Sequence, residues 1–236
     1  KNTRAVMCFD RRTGSLLWKT EIPSAVPPPK VLEMTGYAAP TPATDGRRIF
    51  ALFATADLVA LDFTGRILWQ KNLGEPDNIY GIATSPILVN NMLVVQFDRG
   101  FTPEDNLSTL LSFDPATGRQ IWKIPRPVSA SWSTPLLCPC GKQIITTAEP
   151  WVISYDATTG KEIWRAHGVG ADHAATPIDA AGLVFVTSAN TKAFAVRTGG
   201  TGDVSATHIV WTAEEGLSDT ASPVSDGTFF LQANSS

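Results

Sequence analysis

Two adjacent residues, Asp172 and His173, are the pair that most suggests acid–base chemistry, because a carboxylate can orient an imidazole as a general base. Neighbouring residues of a strand point to opposite faces, so these side chains can hydrogen-bond only if they lie in a loop. The sequence has no Gly-x-Ser-x-Gly motif, and we predict the other histidines, His167 and His208, in a loop and in a strand. We therefore expect no hydrolase activity.

Metal, redox and phosphate chemistry are weakly indicated. Cys138 and Cys140 are separated by one proline, which is neither the two-residue gap of redox motifs nor half of a zinc site. The glycine-rich segment 198–203 does not open a helix and lacks a Lys-Ser/Thr ending, so it predicts a widened hairpin rather than a phosphate loop. One acidic stretch could hold calcium but lacks the spacing of a calcium loop; it comprises Asp98, Glu104, Asp105 and Asn106. We expect no metal site.

Composition excludes several classes of function. The 236 residues are 43% hydrophobic and 17% charged, which is enough apolar material for a sizeable core. The net charge is −3 and no run of like charges occurs, so neither a nucleic acid nor an anionic membrane surface is an expected partner. No stretch of 18 apolar residues exists, so we predict no membrane span.

A hairpin corner occurs four times and organises the chain. Its pattern is an apolar residue, Asp, two variable residues, Thr, Gly, three more residues and Trp, with one residue deleted in the second copy. The copies cover residues 9–18, 61–69, 113–122 and 155–164, and a degenerate fifth copy ends at Trp211. The Asp can accept backbone N–H groups two or three residues on, and the Gly supplies the positive φ of the turn exit.

A second signature follows each Trp and completes a four-stranded unit. Ser/Thr-Pro pairs precede a strand, a tight turn and a further strand; they begin at Thr41, Ser85, Thr134, Thr176 and Ser222. The intervals between the repeated Trp residues are 51, 53, 42 and 47 residues, which is the length of a propeller blade. The sequence therefore predicts an all-β fold, a β-propeller of four-stranded antiparallel blades with about five blade equivalents.

The predicted blade boundaries leave half a blade at each end. They are residues 1–20 (half blade), 37–72, 80–124, 131–167, 173–213 and 219–236 (half blade). Either the two halves pair and close a five-bladed ring, or the chain is an arc of a larger ring of about 7 or 8 blades. We favour the arc, whose open strand edges would make it prone to association.

At the repeated corners the sequence resembles the tryptophan-docking repeats of the pyrroloquinoline-quinone (PQQ) β-propeller family. The resemblance implies that five Trp residues lie between blades and donate their indole N–H groups to backbone; they are Trp18, Trp69, Trp122, Trp164 and Trp211. It is closest to repeat propellers that bind no quinone, namely those of Planctomycetes and the outer-membrane assembly lipoprotein. The quinone enzymes use adjacent cysteines, which this chain lacks, so we expect no cofactor, with PQQ and Ca²⁺ as the alternative.

The channel mouth is the best place to search for a binding site, because residues before the Ser/Thr-Pro pairs should converge there. The candidates are Tyr37, Tyr80, Trp132, His173 and Asp219, from a set that also holds Asp77, Asn78, Ser131, Asp172 and Ser218. We predict a non-catalytic scaffold that binds a protein or a small polar ligand. The alternative is a fragment of a PQQ-dependent quinoprotein dehydrogenase whose cofactor and calcium residues lie outside this chain. The resemblance alone implies a periplasmic or otherwise extracytoplasmic location, and no signal peptide is recognised in this sequence.

Overall fold

The computed structural model describes residues 4–23, 36–139, 141–189 and 191–234. Its regular structure consists of antiparallel sheets arranged in succession along the chain, with a two-stranded hairpin at each end. The first hairpin is β1 (Arg4–Phe9) with β2 (Leu16–Ile22), and the last is β20 (Val224–Ser225) with β21 (Phe230–Leu231). These hairpins form separate sheets and do not pair with each other, so within the described part of the chain the propeller is an open arc.

Four complete blades lie between the hairpins, and in each the first strand is at one edge of the sheet. Blade 1 consists of β3 (Ala43–Thr44), β4 (Arg48–Leu52), β5 (Asp57–Asp62) and β6 (Ile67–Asn72). Blade 2 consists of β7 (Ile87–Val89), β8 (Met92–Phe97), β9 (Thr109–Phe113) and β10 (Gln120–Pro125). The prediction of four-stranded antiparallel blades is confirmed.

Blades 3 and 4 repeat the plan with one addition. Blade 3 consists of β11 (Leu136–Leu137), β12 (Gln143–Ala148), β13 (Trp151–Asp156) and β14 (Glu162–His167). Blade 4 consists of β15 (Ile178–Ala180), β16 (Leu183–Ser188), β17 (Lys192–Arg197) and β19 (Ile209–Ala213). The addition is an insert before β19 that contains β18 (Gly202–Asp203) and the helix α1 (Ser205–His208).

Three predictions about the insert and the strand beside it are wrong. Segment 198–203 is not simply a widened hairpin of its own blade, because β18 leaves blade 4 and pairs in parallel with β14 of blade 3. His208 lies at the end of α1 rather than in a strand, and His167 ends β14 rather than lying in a loop. The insert is tied to β14 by the Val204 N–H, which donates to the Arg165 carbonyl at 2.9 Å.

The hairpin corners form as their sequence predicts. In the first corner, Asp10 Oδ1 accepts the backbone N–H groups of Arg12 and Thr13, each at 2.9 Å, and Gly14 has φ +71°. The corners at Asp114 and Asp156 repeat this geometry. In the shortened corner, Asp62 accepts hydrogen bonds from Thr64 and Arg66. These bonds, of which that from the Thr64 hydroxyl has the largest effect, lower the pKa of Asp62 to about 2.

Hydrophobic packing occurs between facing sheets rather than in one central core. Phe50 and Leu58 of blade 1 pack with Leu93 and Phe97 of blade 2, and all four are buried. Similar clusters join blade 2 to blade 3, blade 3 to blade 4 and the first hairpin to blade 1. Each blade is therefore stabilised by burial of apolar surface against its neighbours. No helix of the described residues is long and apolar enough to cross a membrane.

The Ser/Thr-Pro pairs link successive sheets through a row of hydrogen bonds that the sequence did not indicate. The backbone N–H of each Ser or Thr donates to the hydroxyl of the Ser or Thr in the next sheet. The four links are Thr41 to Ser85 at 2.9 Å, Ser85 to Thr134 at 3.0 Å, Thr134 to Thr176 at 3.2 Å and Thr176 to Ser222 at 3.0 Å. We call this row the hydroxyl ladder.

Candidate functional site

Segments from three consecutive blades meet at Trp132, at the end of the sheets where the first strands begin. The Trp132 backbone N–H donates to the His173 carbonyl at 2.9 Å, and its indole N–H donates to the Gly81 carbonyl at 2.9 Å. The ring of Tyr80 meets the Trp132 indole edge to face, with 4.9 Å between centroids and 81° between planes. These contacts hold Trp132 in one orientation.

A cleft of about 50 Å³ opens beside this indole, and we call it the Trp132 cleft. Asn78, Phe101, Trp132, Glu149 and Asp172 line it, together with Ile79 and small residues of the adjoining loops. Phe101 is 70% exposed, and Asp172 lies at the surface with φ +54°. The cleft therefore combines two aromatic faces with two carboxylates and has no basic residue in its lining.

Such a cleft suits a cationic or hydrogen-bond-donating group. An ammonium or guanidinium group is attracted to the face of Trp or Phe, and a nearby carboxylate adds a charge-assisted hydrogen bond. Glu149 Oε2 accepts a hydrogen bond from the Ser129 hydroxyl at 3.2 Å, which positions this carboxylate at the rim. The arrangement can therefore bind such a group.

His173 lies behind the cleft and is 2% exposed. Its Nε2 is 2.9 Å from the Thr147 hydroxyl, which is itself 2.8 Å from the Ser133 hydroxyl. Burial lowers the pKa of His173 to about 4, so the imidazole is neutral at pH 7. Asp172 is exposed and no hydrogen bond joins it to His173, so these neighbours do not form an oriented acid–base pair.

The structure brings together only part of the predicted candidate set. Trp132 lines the Trp132 cleft, and Tyr80 and His173 contact Trp132 without lining the cleft themselves. Tyr37 is half-buried, and its carbonyl accepts the Ala54 N–H at 3.0 Å, whereas Asp219 is exposed near the last hairpin. Neither Tyr37 nor Asp219 lines the cleft.

Sequence reasoning missed Phe101 and Glu149 as cleft residues. Phe101 lies in the loop between β8 and β9, and Glu149 lies in the turn between β12 and β13. Both loops are at the same end of the blades as the segments before the first strands. The available signal was the unusual length of the β8–β9 loop, because long loops often carry binding residues.

Five Trp residues were predicted to dock between blades, and three show the expected geometry. The indole N–H groups of Trp18, Trp69 and Trp122 donate to carbonyls of the next corner, at 3.0, 2.9 and 3.1 Å. Trp164 departs from the prediction, because it is fully buried and its N–H has no acceptor. Trp211 contacts Phe185 and Phe230, with ring centroids 6.0 and 5.9 Å away.

The acidic stretch in the β8–β9 loop does not converge on one point. Asp98 is fully buried and pairs with Arg126, whose Nε is 2.7 Å from Asp98 Oδ1. Asp105 Oδ2 instead accepts the N–H groups of Phe101 and Thr102 at 2.8 and 3.0 Å. The Asn106 amide donates to the Glu104 carbonyl. Asp98, Asp105 and Asn106 therefore each bond a different partner rather than a common point.

The Asp98–Arg126 pair is part of a buried polar network between blades 2 and 3. Gln96 donates to Asp98 Oδ2 at 2.7 Å, and the Arg126 guanidinium also contacts the hydroxyls of Thr146 and Tyr155. Burial raises the pKa of Tyr155 to about 12, so its hydroxyl remains protonated. Removing either Asp98 or Arg126 would leave the other as a buried charge without its partner, which is strongly destabilising.

These features define an arc of a β-propeller built from PQQ-like repeats. The chain belongs to the PQQ-like repeat family whose model is described as outer membrane protein assembly factor BamB and matches residues 2–235. No curated protein sequence matches the chain.

Solved structures share the fold at low sequence identity. BamB from Moraxella catarrhalis is 18% identical with a TM-score of 0.65, and the match covers 95% of this chain and 62% of that one. A europium-containing methanol dehydrogenase is 12% identical with a TM-score of 0.64, over 91% of this chain and 50% of that one. Quinohemoprotein alcohol dehydrogenase from Comamonas testosteroni is 12% identical with a TM-score of 0.61, over 89% and 40%. The chain thus spans less than two thirds of the length of these proteins.

The dehydrogenase neighbours raise the question of whether the described residues fit PQQ and calcium. Calcium requires several oxygen ligands that point at one position. Asp98 instead points at Arg126 and Asp105 at its own loop, and no group of three or more metal-ligating His, Cys, Asp or Glu side chains occurs in the described ranges. Cys138 is buried, whereas Cys140 lies outside the described residues. The acidic stretch therefore does not fit a calcium site.

Proposed function

We propose that this chain is a non-catalytic binding module that presents the Trp132 cleft to a basic segment of a partner protein outside the cytoplasm. The observation that carries the proposal is the cleft itself, in which Trp132 and Phe101 lie beside Glu149 and Asp172. The family supports a protein partner and an extracytoplasmic setting, because its description names an outer membrane protein assembly factor.

Rigid placement of the cleft residues favours binding. Trp132 is held by two hydrogen bonds and by Tyr80, so little side-chain entropy is lost when a ligand contacts it. Phe101 is exposed on a loop whose turn is fixed by Asp105. A Lys or Arg of the partner would lie between the aromatic faces, and its charge would be paired by Glu149.

Peptide selection tests this proposal. Random twelve-residue peptides are selected on the immobilised protein, and the affinity of enriched peptides is measured by isothermal titration calorimetry. We expect enrichment of Lys and Arg. Phe101→Ala and Glu149→Gln should each weaken binding about tenfold, the effect of one lost charge-assisted or cation–π contact.

A matched control separates the cleft from the rest of the surface. Phe63→Ala removes an aromatic ring that is 53% exposed on a corner remote from the cleft in sequence and should leave the affinity unchanged. Peptides that bind both cleft variants as tightly as the unaltered protein would contradict the proposal, as would a selection that enriches only acidic peptides.

The second candidate is a fragment of a quinone-dependent dehydrogenase, which the structural likeness to methanol and alcohol dehydrogenases supports at the level of fold. Its test is direct. This candidate places its cofactor residues outside the chain, so the full-length protein is mixed with PQQ and Ca²⁺. Quinone binding is then followed by absorbance, together with dye-coupled oxidation of alcohols. Quinone binding with turnover would establish this candidate and overturn the first, whereas the absence of quinone binding would remove it.

A further inference from the structure

A second cleft, which shares no lining residue with the Trp132 cleft, lies in the junction between blades 1 and 2. It has a volume of about 220 Å³ and opens between β6 of blade 1 and the sheet β8–β10 of blade 2. Three cationic side chains line it, namely Lys71, Arg99 and Lys123. We call it the basic cleft.

The cations of the basic cleft have no carboxylate partner. None of the ion pairs found among residues 4–23, 36–139, 141–189 and 191–234 includes Lys71, Arg99 or Lys123. This grouping contrasts with the chain as a whole, which carries a net charge of −3. Three like charges at one cleft repel one another, so an anion bound between them would relieve that repulsion.

Arg99 is held in place by its terminal nitrogens, while its buried Nε–H has no hydrogen-bond partner. Its two terminal nitrogens donate to the carbonyls of Glu75 at 3.2 Å and Leu107 at 2.8 Å, and its guanidinium carbon lies 4.6 Å from the centroid of the Phe97 ring. The Nε–H is buried and has no hydrogen-bond partner. A preorganised guanidinium with a free N–H binds an oxyanion at low entropic cost.

Thr109 provides an independent sign of a ligand. It lies on β9, lines the basic cleft and is only 6% exposed, yet its hydroxyl has no hydrogen-bond partner. Burying a hydroxyl without a partner costs free energy, so such groups in folded proteins commonly serve a bound water, ion or ligand. The Thr109 hydroxyl and the Arg99 Nε–H are therefore two unsatisfied donors at one cationic cleft.

We propose that the basic cleft binds a phosphate-type oxyanion, held by Lys71, Lys123, the Arg99 Nε–H and the Thr109 hydroxyl. Three of these donors lie on the strands β6, β9 and β10, and Arg99 lies in the β8–β9 loop. Donors from four segments suit a tetrahedral anion, which offers acceptors in several directions, better than they suit a flat carboxylate. The volume left beside the anion accommodates the organic group of a phosphate ester. The two clefts share no lining residue, and this proposal does not rest on the function proposed for the Trp132 cleft.

Titration with inorganic phosphate at low ionic strength tests the site. Binding is followed by calorimetry and by the side-chain Nε–H signal of Arg99 in ¹H–¹⁵N NMR spectra. We expect a Kd near or below about 1 mM, a shifted Arg99 signal, and weaker binding as salt rises, because chloride screens the cations. Acetate should bind much more weakly, and acetate binding as tight as that of phosphate would overturn the tetrahedral assignment.

Three variants locate the anion. Lys71→Gln and Lys123→Gln should each weaken phosphate binding about tenfold, as expected for one lost charge-assisted hydrogen bond. Thr109→Val keeps the shape of the side chain and removes the hydroxyl, so it should weaken binding without lowering the melting temperature. The matched control is Lys142→Gln, which removes the same charge from an exposed position in blade 3 and should change nothing. Equal weakening by Lys142→Gln, or no weakening by the three cleft variants, would overturn the proposal.

The source of the oxyanion is distinguished by competition. Vesicles of phosphatidylglycerol that displace inorganic phosphate, when phosphatidylcholine vesicles do not, would assign the site to an anionic lipid headgroup. Displacement by soluble glycerol phosphate but not by vesicles would assign it to a small phosphate ester. If phosphate itself causes neither heat nor a shift of the Arg99 signal up to about 10 mM, the site does not exist as proposed.

Discussion

The inner and outer rims of the arc join the same blades by different means. We call the edge formed by the first strands of the blades the inner rim and the edge formed by the Trp-bearing last strands the outer rim. At the inner rim the hydroxyl ladder repeats one hydrogen bond over four successive links, from Thr41 to Ser222. At the outer rim three junctions use a Trp that donates to the next corner, and the junction between blades 3 and 4 does not. The ladder needs only a hydroxyl at a fixed position, whereas the Trp junction depends on a corner of defined shape.

At the outer rim, the repeated Trp is held in two different ways. In the regular junctions a corner glycine lies directly against the indole, and a Cβ on Gly118 would approach the Trp69 ring to 2.8 Å. In blade 4 the insert replaces the corner and pairs with β14, and Val204 packs in the same cluster as Trp164. Trp164 therefore gains complete burial and loses its hydrogen bond, which exchanges a polar contact for apolar area.

The largest effect should come from Trp164→Ala. We expect a loss of about 5 kcal/mol in the free energy of unfolding, the upper end for a buried Trp, because both the sheet of blade 4 and the insert would face the cavity. Trp122→Ala should cost less, about 3 kcal/mol, since part of the Trp122 side chain is already accessible to solvent. Urea denaturation of both variants measures the difference, and equal losses would show that the insert adds no packing at its junction.

The inner rim should be the more acid-sensitive of the two. His173 has a pKa of about 4 in the folded protein against 6.5 when unfolded, so the unfolded state takes up the proton first as the pH falls. Its contribution is complete above pH 6.5 and declines towards pH 4, by about 3 kcal/mol in total. The outer-rim corner carboxylates Asp10, Asp114 and Asp156 have lowered pKa values through hydrogen bonds from Thr13, Thr117 and Thr159, so they respond only at lower pH.

The measurement is the free energy of unfolding of the protein and of His173→Gln between pH 7 and pH 4. Gln can hydrogen-bond Thr147 but does not titrate, so the pH-dependent loss should be about 3 kcal/mol smaller in the variant. Parallel curves for the two proteins would mean that His173 is not buried in its neutral form.

Adding one methyl group at a corner tests the close approach between glycine and indole. Gly118 and Gly14 have nearly the same positive φ, +68° and +71°, but only Gly118 lies against a Trp. Gly118→Ala should cost about 3 kcal/mol, from backbone strain plus overpacking, and Gly14→Ala about 1 kcal/mol from strain alone. Thermal melts report the difference; identical shifts would show that the Trp69 ring moves aside without penalty.

The sequence predicted what is local and repeated. Asp10, Thr13, Gly14 and their repeats specify a corner within six residues, and the spacing of the Trp residues specifies the blades. The course of the insert could not be predicted, because β18 pairs with a strand some forty residues earlier and its glycines fit either arrangement. The Trp132 cleft was found only in part, since Phe101 and Glu149 approach it through tertiary packing of loops that carry no repeated motif.

Breaking one link of the hydroxyl ladder should have a small effect on stability, and it tests directly how the two rims differ. Thr134→Val removes the acceptor of the Ser85 N–H but keeps the donor to Thr176, so one link should break while its neighbour survives. The cost should be about 1 to 2 kcal/mol, the price of a partly buried N–H left without a partner. Thr134→Ser retains the hydroxyl and should cost less.

Amide hydrogen exchange locates the effect: the Ser85 N–H should exchange faster in Thr134→Val only. Exchange that accelerates equally along the whole ladder would mean that its links form one cooperative unit rather than independent contacts between neighbouring blades.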